Sequence, residues 1–360
     1  MKYIKDLKIT TIAAACEDYP RNSEASIIEC SNGALRVAWQ RFENSAHGSN
    51  DTAPAAIAIM DCESGNPEDG WINPRVVADR TPDCVNVYSP DFIRLNDGSI
   101  MLMYMRYNQL TPGKPRYSSG YYKISHDQGK TFGEEHILWE KQQWRTCNDG
   151  TRRLKSGRLI TPLEKNRGDL WTETDHCYIS VMYSDDDGKT WEYSPCNIDL
   201  PMRGAMEPCI AECSDGSLIM VMRCQLGSVM KSYSYDDGIT WTKPQTTGLR
   251  APESCPYIMN IPNSDTLMVL WNNSEYDPSY ASHYGKRTPF TLAFSDDNGK
   301  TFYNFTDIET DPKRAFTNPA FTWTKDGRCL ITYWTEEYLP SGAMGNTIDL
   351  KLATFKITEK

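Results

Sequence analysis

The 360-residue sequence contains no apolar run that approaches the ~20 residues of a membrane-spanning helix. Its N-terminal segment, residues 1–7, carries lysines but no apolar stretch after them, so the segment does not resemble a secretory signal. Lysine and arginine number 38 against 48 aspartates and glutamates, which gives a formal net charge of −10. Non-specific binding to nucleic acid or to an anionic membrane needs a basic face. We therefore expect neither nucleic acid nor a membrane as a partner.

Patterns typical of metal sites and of disulfide scaffolds are also missing. The twelve cysteines are scattered, C-x-x-C does not occur, and the closest pair, Cys209 and Cys213, has no neighbouring His or Cys to complete a zinc site. The five histidines show no H-x-x-x-H spacing. The sequence predicts reduced thiols in a cytoplasmic protein, or a secreted one if an export signal has been removed, with no metal and no other cofactor.

An eight-residue motif, S-x-D-x-G-x-T-[W/F], occurs four times. The copies begin at Ser125, Ser184, Ser234 and Ser295, and the starts are 59, 50 and 61 residues apart. Each copy follows an apolar strand-like run, its Ser and Asp can bind backbone amides across a tight turn, and its Gly supplies a positive φ. The aromatic residue that ends the motif is suited to pack between neighbouring sheets. The octet therefore predicts four hairpins at regular intervals.

A second, weaker repeat lies between the octets and consists of a turn dipeptide followed by an apolar run. Its six copies are 32–33, 97–98, 156–157, 215–216, 264–265 and 326–327, and five of them contain glycine. Six such units, each with two hairpins and about four strands, predict an all-β fold, a six-bladed β-propeller formed by residues 1–360 as one domain. The last unit lacks an octet, and we expect the N-terminal strand near Lys8–Ile12 to complete it.

The innermost strands of such a propeller should precede the six turn dipeptides. Their upstream ends are too polar for a core and predict a site at one end of the central axis. These ends are residues 21–24, 86–89, 145–148, 206–208, 252–254 and 316–319.

The octet is the Asp-box, or BNR repeat, and with four copies at blade spacing the chain resembles the sialidase (neuraminidase) superfamily over nearly its whole length. The resemblance implies a substrate carboxylate held by three arginines from separate blades. Arg21, Arg223 and Arg287 match these positions, although Arg-Asn-Ser replaces the Arg-Ile-Pro sequence of the family. Glu24, three residues after Arg21, is expected to bind substrate with them.

The resemblance also implies catalytic groups. Glu207, sixteen residues before Arg223, matches the general base, and Asp51, on a loop of the first blade, matches the general acid/base. The position of the tyrosine nucleophile is taken by Asn318, which cannot act as a nucleophile and is expected to bind substrate. Tyr88, Tyr257, Tyr284 and Tyr338 are other tyrosines that could reach the site, and the sequence selects none of them.

Three functions follow from these residues. The first is a sialidase-like glycoside hydrolase acting on a terminal acidic sugar of the sialic- or uronic-acid type, with an anionic glycan as its partner. The second is a lyase on uronic-acid glycans, with a Tyr or His as base. The third is a glycan-binding propeller without catalysis. The sequence does not predict the sugar, the linkage or the oligomeric state.

Overall fold

A computed structural model of the chain describes residues 1–45, 50–51, 53–108, 116–167, 176–280 and 283–359. Strands dominate these ranges, and the one helix found within them is the three-residue 3-10 turn Pro67–Asp69. No helix in the described part of the chain is long and apolar enough to cross a membrane. The twelve cysteines all fall inside these ranges and are thiols rather than disulfides. The fold is all-β, as the sequence predicts.

Twenty-five strands are present in the described residues. In chain order they are β1 (Lys2–Ala13), β2 (Arg21–Glu29), β3 (Leu35–Phe42), β4 (Ala55–Cys62), β5 (Ile72–Ala78), β6 (Cys84–Arg94), β7 (Ile100–Asn108), β8 (Ser118–Ser125), β9 (His136–Gln142), β10 (Trp144–Arg145), β11 (Arg152–Arg153), β12 (Leu159–Asn166), β13 (Cys177–Ser184), β14 (Glu192–Tyr193), β15 (Met206–Glu212), β16 (Leu218–Arg223), β17 (Ser228–Ser234), β18 (Gln245–Arg250), β19 (Tyr257–Asn260), β20 (Leu267–Asn272), β21 (Phe290–Ser295), β22 (Tyr303–Glu309), β23 (Arg314–Trp323), β24 (Arg328–Tyr338) and β25 (Met344–Glu359).

The strands pair into six consecutive antiparallel units. Unit 1 is β2–β5, unit 2 is β6–β9, unit 3 is β10–β14, unit 4 is β15–β18, unit 5 is β19–β22, and unit 6 is β23–β25 with β1 as its outer strand. Single parallel pairings, Arg21 with Ile348 and Ala55 with Asn86, join units 6, 1 and 2 into one sheet. The pairing of β1 with β25 confirms that the N-terminal strand completes the last unit.

The turns lie where the two repeats predict them. Each of the six dipeptides connects the first long hairpin of its unit, and each octet connects the last two strands in units 2 to 5. In the second octet, Asp186 accepts hydrogen bonds from the Ser184 hydroxyl (2.8 Å), the Thr190 amide (2.8 Å) and the Thr190 hydroxyl (2.6 Å). Gly188 has a φ of 85° and donates its amide to Ser184. The Thr190 hydrogen bonds lower the pKa of Asp186 to about 2, so the turn is built on an ionised carboxylate.

The apolar core is divided among the spaces between neighbouring units. Separate buried clusters lie between units 6 and 1, 1 and 2, 2 and 3, and 3 and 4, and a larger one spans units 4, 5 and 6. The aromatic residues of the octets, such as Trp191 and Trp241, pack against these clusters. This agrees with the prediction that they pack between sheets.

Four first strands carry the same irregularity near their upstream ends. Glu24, Ser89, Glu207 and Asn318 have φ values of 37°, 52°, 42° and 49°, and each lies at a break in the register with the next strand. Each stands nine residues before the turn glycine of its unit. A bulge of this kind redirects a side chain out of the regular alternation of the strand, and such bulges concentrate at functional sites. The four residues therefore share one backbone geometry, and their side chains all line the cavity of the candidate active site.

At the opposite, turn end, hydrogen bonds of residues in or beside the first hairpin connect every unit to the next unit, and unit 6 to unit 1. They run from the Lys325 amide to Glu29 (2.9 Å), from Arg94 to the Glu29 carbonyl (2.7 Å), from Arg153 to the Arg94 carbonyl (2.9 Å), from the Lys155 amide to Glu212 (2.8 Å), from the Glu212 amide to Asn260 (3.1 Å) and from Trp323 to the Asn260 carbonyl (3.1 Å).

A buried polar cluster, the central cluster, forms where Asp149 joins four of the six units. Asp149 belongs to unit 3, and its carboxylate accepts hydrogen bonds from Ser26 (3.1 Å), the Phe321 amide (3.0 Å) and the Tyr257 hydroxyl (3.2 Å). Asn148, the preceding residue, lines the cavity. The cluster therefore connects units 1, 5 and 6 with unit 3 next to the wall of the candidate site.

Candidate active site

Two adjoining cavities of about 240 and about 320 Å³ lie at the upstream ends of the first strands. They are parts of one space because they share six lining residues, namely Glu24, Asp51, Glu207, Arg223, His283 and Asn318. Arg21 and Arg287 line the second cavity. The structure thus brings all seven site residues selected from the sequence to one place.

Arg21 begins β2 and is held in a fixed orientation. Its guanidinium lies 4.3 Å from the centroid of the Phe42 ring and 6.0 Å from that of Trp334, and its Nη2 forms a 2.7 Å ion pair with Asp51 Oδ1. Stacking on aromatic rings restricts a guanidinium without consuming its N–H donors. Arg21 is therefore preorganised to bind an anion in the cavity.

Arg223 ends β16 and is shared between two carboxylates. Its Nη1 lies 3.0 Å from Glu207 Oε2, and its Nη2 lies 2.8 Å from Glu253 Oε1. Glu253 also accepts hydrogen bonds from Arg203 (2.5 Å) and Gln225 (3.1 Å). The two pairs fix Arg223 against the Glu207 side chain, the two residues that the family resemblance matches to a base and an arginine of one site.

Arg287 is the arginine whose charge is least compensated. It is 3% exposed, and its Nη2 donates to the Glu253 carbonyl at 3.2 Å. Among the described residues no carboxylate lies within ion-pair distance of Arg287, and its Nε has no hydrogen-bond partner. Burial and the neighbouring charge of Arg223 lower the pKa of Arg287. A buried cation in this situation is stabilised by an anionic ligand.

Two carboxyl groups of the cavity are held ionised by arginines. Burial acts to raise the pKa of Glu207, but Arg223 and Arg287 outweigh it and the pKa is lowered. Desolvation likewise acts to raise the pKa of Asp51, and the charge and hydrogen bond of Arg21 lower it. Both groups are therefore acceptors of protons or hydrogen bonds in the unliganded protein.

Two other carboxyl groups have the opposite tendency. Burial, followed by the charge of Asp51, raises the pKa of Glu24 to about 7. Burial also raises the pKa of Glu336, on β24, to about 7. The cavity thus holds carboxyl groups that titrate near neutral pH together with carboxyl groups that are ionised there, the combination on which general acid and base catalysis relies.

Several residues that line the cavity were not selected from the sequence: Arg145, Glu164, Arg203 and His283. Glu253, which pairs with Arg203 and Arg223, was not selected either. Arg145 is paired with Glu164, whose other oxygen accepts the Glu207 amide at 2.9 Å. Arg145 and Glu253 lie in two of the polar strand ends, residues 145–148 and 252–254. The sequence therefore indicated their positions, whereas it did not indicate which residues they pair with. No sequence pattern indicated His283. Burial and the charge of Arg287 lower the pKa of its ring well below the usual range, so the ring is neutral.

The four tyrosines left open by the sequence have different environments. Tyr88 lines the cavity, and burial raises the pKa of its hydroxyl well above the usual range. Tyr257 donates to Asn148 and to Asp149 in the central cluster. Tyr338 accepts the Arg287 amide at 2.6 Å, and Tyr284 stacks on the Tyr276 ring. Tyr88 is thus the one of the four that lines the cavity.

No group of three or more His, Cys, Asp or Glu residues in the described ranges is arranged to hold a metal ion.

Residues 33–331 match the family model described as a BNR repeat-like domain. No curated protein matches the sequence. A protein of unknown function from Dyadobacter fermentans is similar in structure, with a TM-score of 0.74 and 18% identity over 97% of this chain and 99% of that one. Similar too are the intramolecular trans-sialidases of Ruminococcus gnavus (TM-score 0.72, 14% identity, 96% and 97% covered) and of leech (TM-score 0.73, 12% identity, 97% and 70% covered). At these identities the likeness shows the fold, and the sequence match shows the family. The chain belongs to the BNR repeat-like domain family.

Proposed function

We propose that the six units are the blades of a closed six-bladed propeller, formed by residues 1–360 as a single domain. The hydrogen bonds that pass from each unit to the next, and from unit 6 to unit 1, support closure, as do the buried clusters between neighbouring units. Closure would arrange the six first strands around one axis, with the bulged residues facing one opening. An experimental structure with another number of blades would contradict this proposal.

Within that fold we propose a sialidase-like glycoside hydrolase that acts on a terminal acidic sugar, of the sialic- or uronic-acid type. The observation that carries the proposal is Arg287, a buried arginine without a carboxylate partner in the described residues, which lines one cavity with Arg21 and Arg223. Three guanidinium groups from three units can hold a carboxylate through several charge-assisted hydrogen bonds. The sialidases among the similar structures favour the same class of substrate.

The reaction requires a base beside the anomeric carbon and an acid beside the leaving-group oxygen. Glu207 suits the first role because Arg223 keeps it ionised and its bulge directs it into the cavity. Asn318, on the equivalent bulge of unit 6, can donate or accept hydrogen bonds but cannot form a glycosyl intermediate. We therefore propose direct attack by water with inversion of configuration, Glu207 accepting the proton of that water.

A panel of aryl glycosides tests this function. The purified protein is incubated with sialosides, uronides and the corresponding neutral hexosides, and the first-formed anomer is identified by proton NMR. We expect turnover of an acidic glycoside, a preference over its neutral counterpart, and an inverted product. A folded protein that releases no aglycone from any member of the panel would contradict the hydrolase.

A second function, a lyase on uronic-acid glycans, is favoured by His283. Its neutral ring lines the same cavity as Arg223 and Arg287, so it could remove a proton made acidic by neutralisation of the neighbouring carboxylate. A lyase releases an unsaturated uronide that absorbs in the ultraviolet, whereas a hydrolase does not. Tight binding of acidic glycans without either product would instead favour a binding propeller.

A further inference from the structure

Glu24 occupies a position that differs from that of every other carboxyl group in the cavity. It follows Arg21 by three residues, and the bulge at φ 37° turns its half-buried side chain into the space shared by both cavities. Ser89, on the equivalent bulge of unit 2, donates its hydroxyl to Glu24 Oε2 at 2.9 Å. This is the one hydrogen bond of the Glu24 side chain within the described residues, and none of them forms an ion pair with it.

Of the two other candidate acids, one is paired with an arginine and the other is almost completely buried. Asp51 is paired with Arg21 at 2.7 Å, and its side chain is 61% exposed. Glu336 is 1% exposed and lines the part of the cavity that contains Arg21 and Arg287, where the substrate carboxylate would lie. A carboxyl group needs a proton to act as an acid, and an adjacent guanidinium stabilises the ionised form. Glu24 is therefore the accessible carboxyl group that forms no ion pair with an arginine among the described residues.

The protonation of Glu24 agrees with its geometry. Burial and the charge of Asp51 raise its pKa to about 7, and the bond from Ser89 and the charge of Arg21 only partly oppose them. Glu207, on the matching bulge of unit 4, has a lowered pKa and also repels an ionised Glu24. Two carboxyl groups on equivalent bulges thus prefer opposite protonation states, the arrangement that separates an acid from a base.

We infer that Glu24, rather than Asp51, is the general acid of the hydrolase, an inference that rests on the proposed function. The Glu24 carboxyl group transfers its proton to the glycosidic oxygen as the bond from that oxygen to the anomeric carbon breaks. Water attacks the anomeric carbon, and its proton passes to the Glu207 carboxylate. The step leaves Glu24 ionised and Glu207 protonated, and exchange of one proton with solvent restores the starting state. Asp51 then remains with Arg21 and orients it.

The dependence of the rate on the leaving group tests this assignment. A dinitrophenolate leaves without protonation, whereas a sugar alcohol or simple alkoxide needs an acid. In Glu24→Gln, which keeps the shape of the side chain and an acceptor for Ser89, we expect kcat/KM to fall ~100-fold or more for alkyl glycosides. For the dinitrophenyl glycoside we expect a loss below ~10-fold. In Asp51→Asn, the matched control, we expect losses of similar size for both leaving groups.

A second measurement does not depend on turnover. The carboxyl carbons of glutamate are labelled with carbon-13, and the signal missing from Glu24→Gln is followed by NMR as a function of pH. A midpoint near neutrality supports the assignment, and a midpoint below about pH 5 overturns it. If the loss of activity depends on the leaving group in Asp51→Asn and not in Glu24→Gln, Glu24 is not the general acid, and the proposed hydrolase function stands. Absence of all turnover in the wild-type protein would overturn the hydrolase together with its acid.

Discussion

Asp91, beside the central cluster, predicts a loss of stability with rising pH, which substitution of Asp91 should reduce. Asp91 lies on β6, is 3% exposed, and accepts the Thr151 amide at 2.7 Å. Burial and the neighbouring charge of Asp149 raise its pKa from 3.8 to about 7. Asp149 accepts three donors in the cluster, whereas the second oxygen of Asp91 has no hydrogen-bond partner. Burial raises the pKa of Asp149 too, so the two carboxyl groups share one proton, and the donors and the Arg152 guanidinium around Asp149 favour Asp91 as the group that holds it.

Proton linkage gives the sign and the size of this change in the free energy of unfolding with pH. The folded state holds a proton on Asp91 that the unfolded chain releases above pH 3.8, so the free energy of unfolding falls as the pH rises towards about 7. With these two values, the contribution lost between about pH 5 and about pH 8 is roughly 2–3 kcal/mol. Asn at this position is uncharged at every pH and keeps an oxygen for the Thr151 amide. We expect Asp91→Asn to be more stable than the wild type at pH 8, with a difference that shrinks towards pH 5.

Guanidinium unfolding, followed by the fluorescence of the ten tryptophans, measures the difference between the two proteins at both pH values. The comparison is made between variants because Glu24 and Glu336 contribute to the pH dependence of both. Asp149→Asn is the second variant: it weakens the acceptor of the Phe321 amide and should lose about 1–3 kcal/mol at pH 5. It also removes the charge that raises the pKa of Asp91, so its stability should depend less on pH than that of the wild type. A difference between wild type and Asp91→Asn that does not change with pH would refute the reasoning.

Three further predictions concern the site and the fold. Glu207→Gln should lower kcat by at least ~100-fold with a much smaller change in KM, and wild-type turnover in this variant would exclude Glu207 as the base. Asn318→Ala should raise KM more than it lowers kcat, and a loss confined to kcat would instead place Asn318 in the transition state. Gly204→Ala should unfold the protein or destabilise it by well over ~2 kcal/mol, because a Cβ there would lie 1.8 Å from the Cys177 carbonyl. Gly216→Ala, at a similar φ but with nothing within 4 Å of the added carbon, should cost only about 1–2 kcal/mol in the same unfolding assay.

The hairpins could be predicted from the sequence because their chemistry is local. The Ser, Asp, Gly and Thr of each octet bind one another within seven residues, so the pattern contains nearly all the contacts of the turn. The spacing of nine residues from Glu207 and from Asn318 to the following turn glycine can be counted in the sequence. The positive φ that both share cannot be read there, because a bulge depends on how the next strand pairs.

The electrostatics of the cavity could not be read from the sequence in the same way. The ion pair of Arg203 with Glu253 joins residues 50 positions apart, and its formation depends on how two units pack. The opposite pKa shifts of Glu24 and Asp51 arise from burial and from which of them Arg21 contacts. The sequence therefore indicated which residues meet at the site, whereas their protonation states required the structure.

The measurement that tests the central claim most directly is calorimetric titration of the protein with an acidic monosaccharide and with its neutral counterpart, repeated with Arg287→Met. We expect the wild type to bind the acidic sugar at least ~100-fold more tightly than the neutral sugar, since the carboxylate would meet a buried guanidinium that forms no ion pair with a described carboxylate. We expect Arg287→Met, with a similar unfolding curve, to lose this preference. Equal binding of the two sugars by the wild type, or an unchanged preference in Arg287→Met, would contradict a carboxylate-binding site.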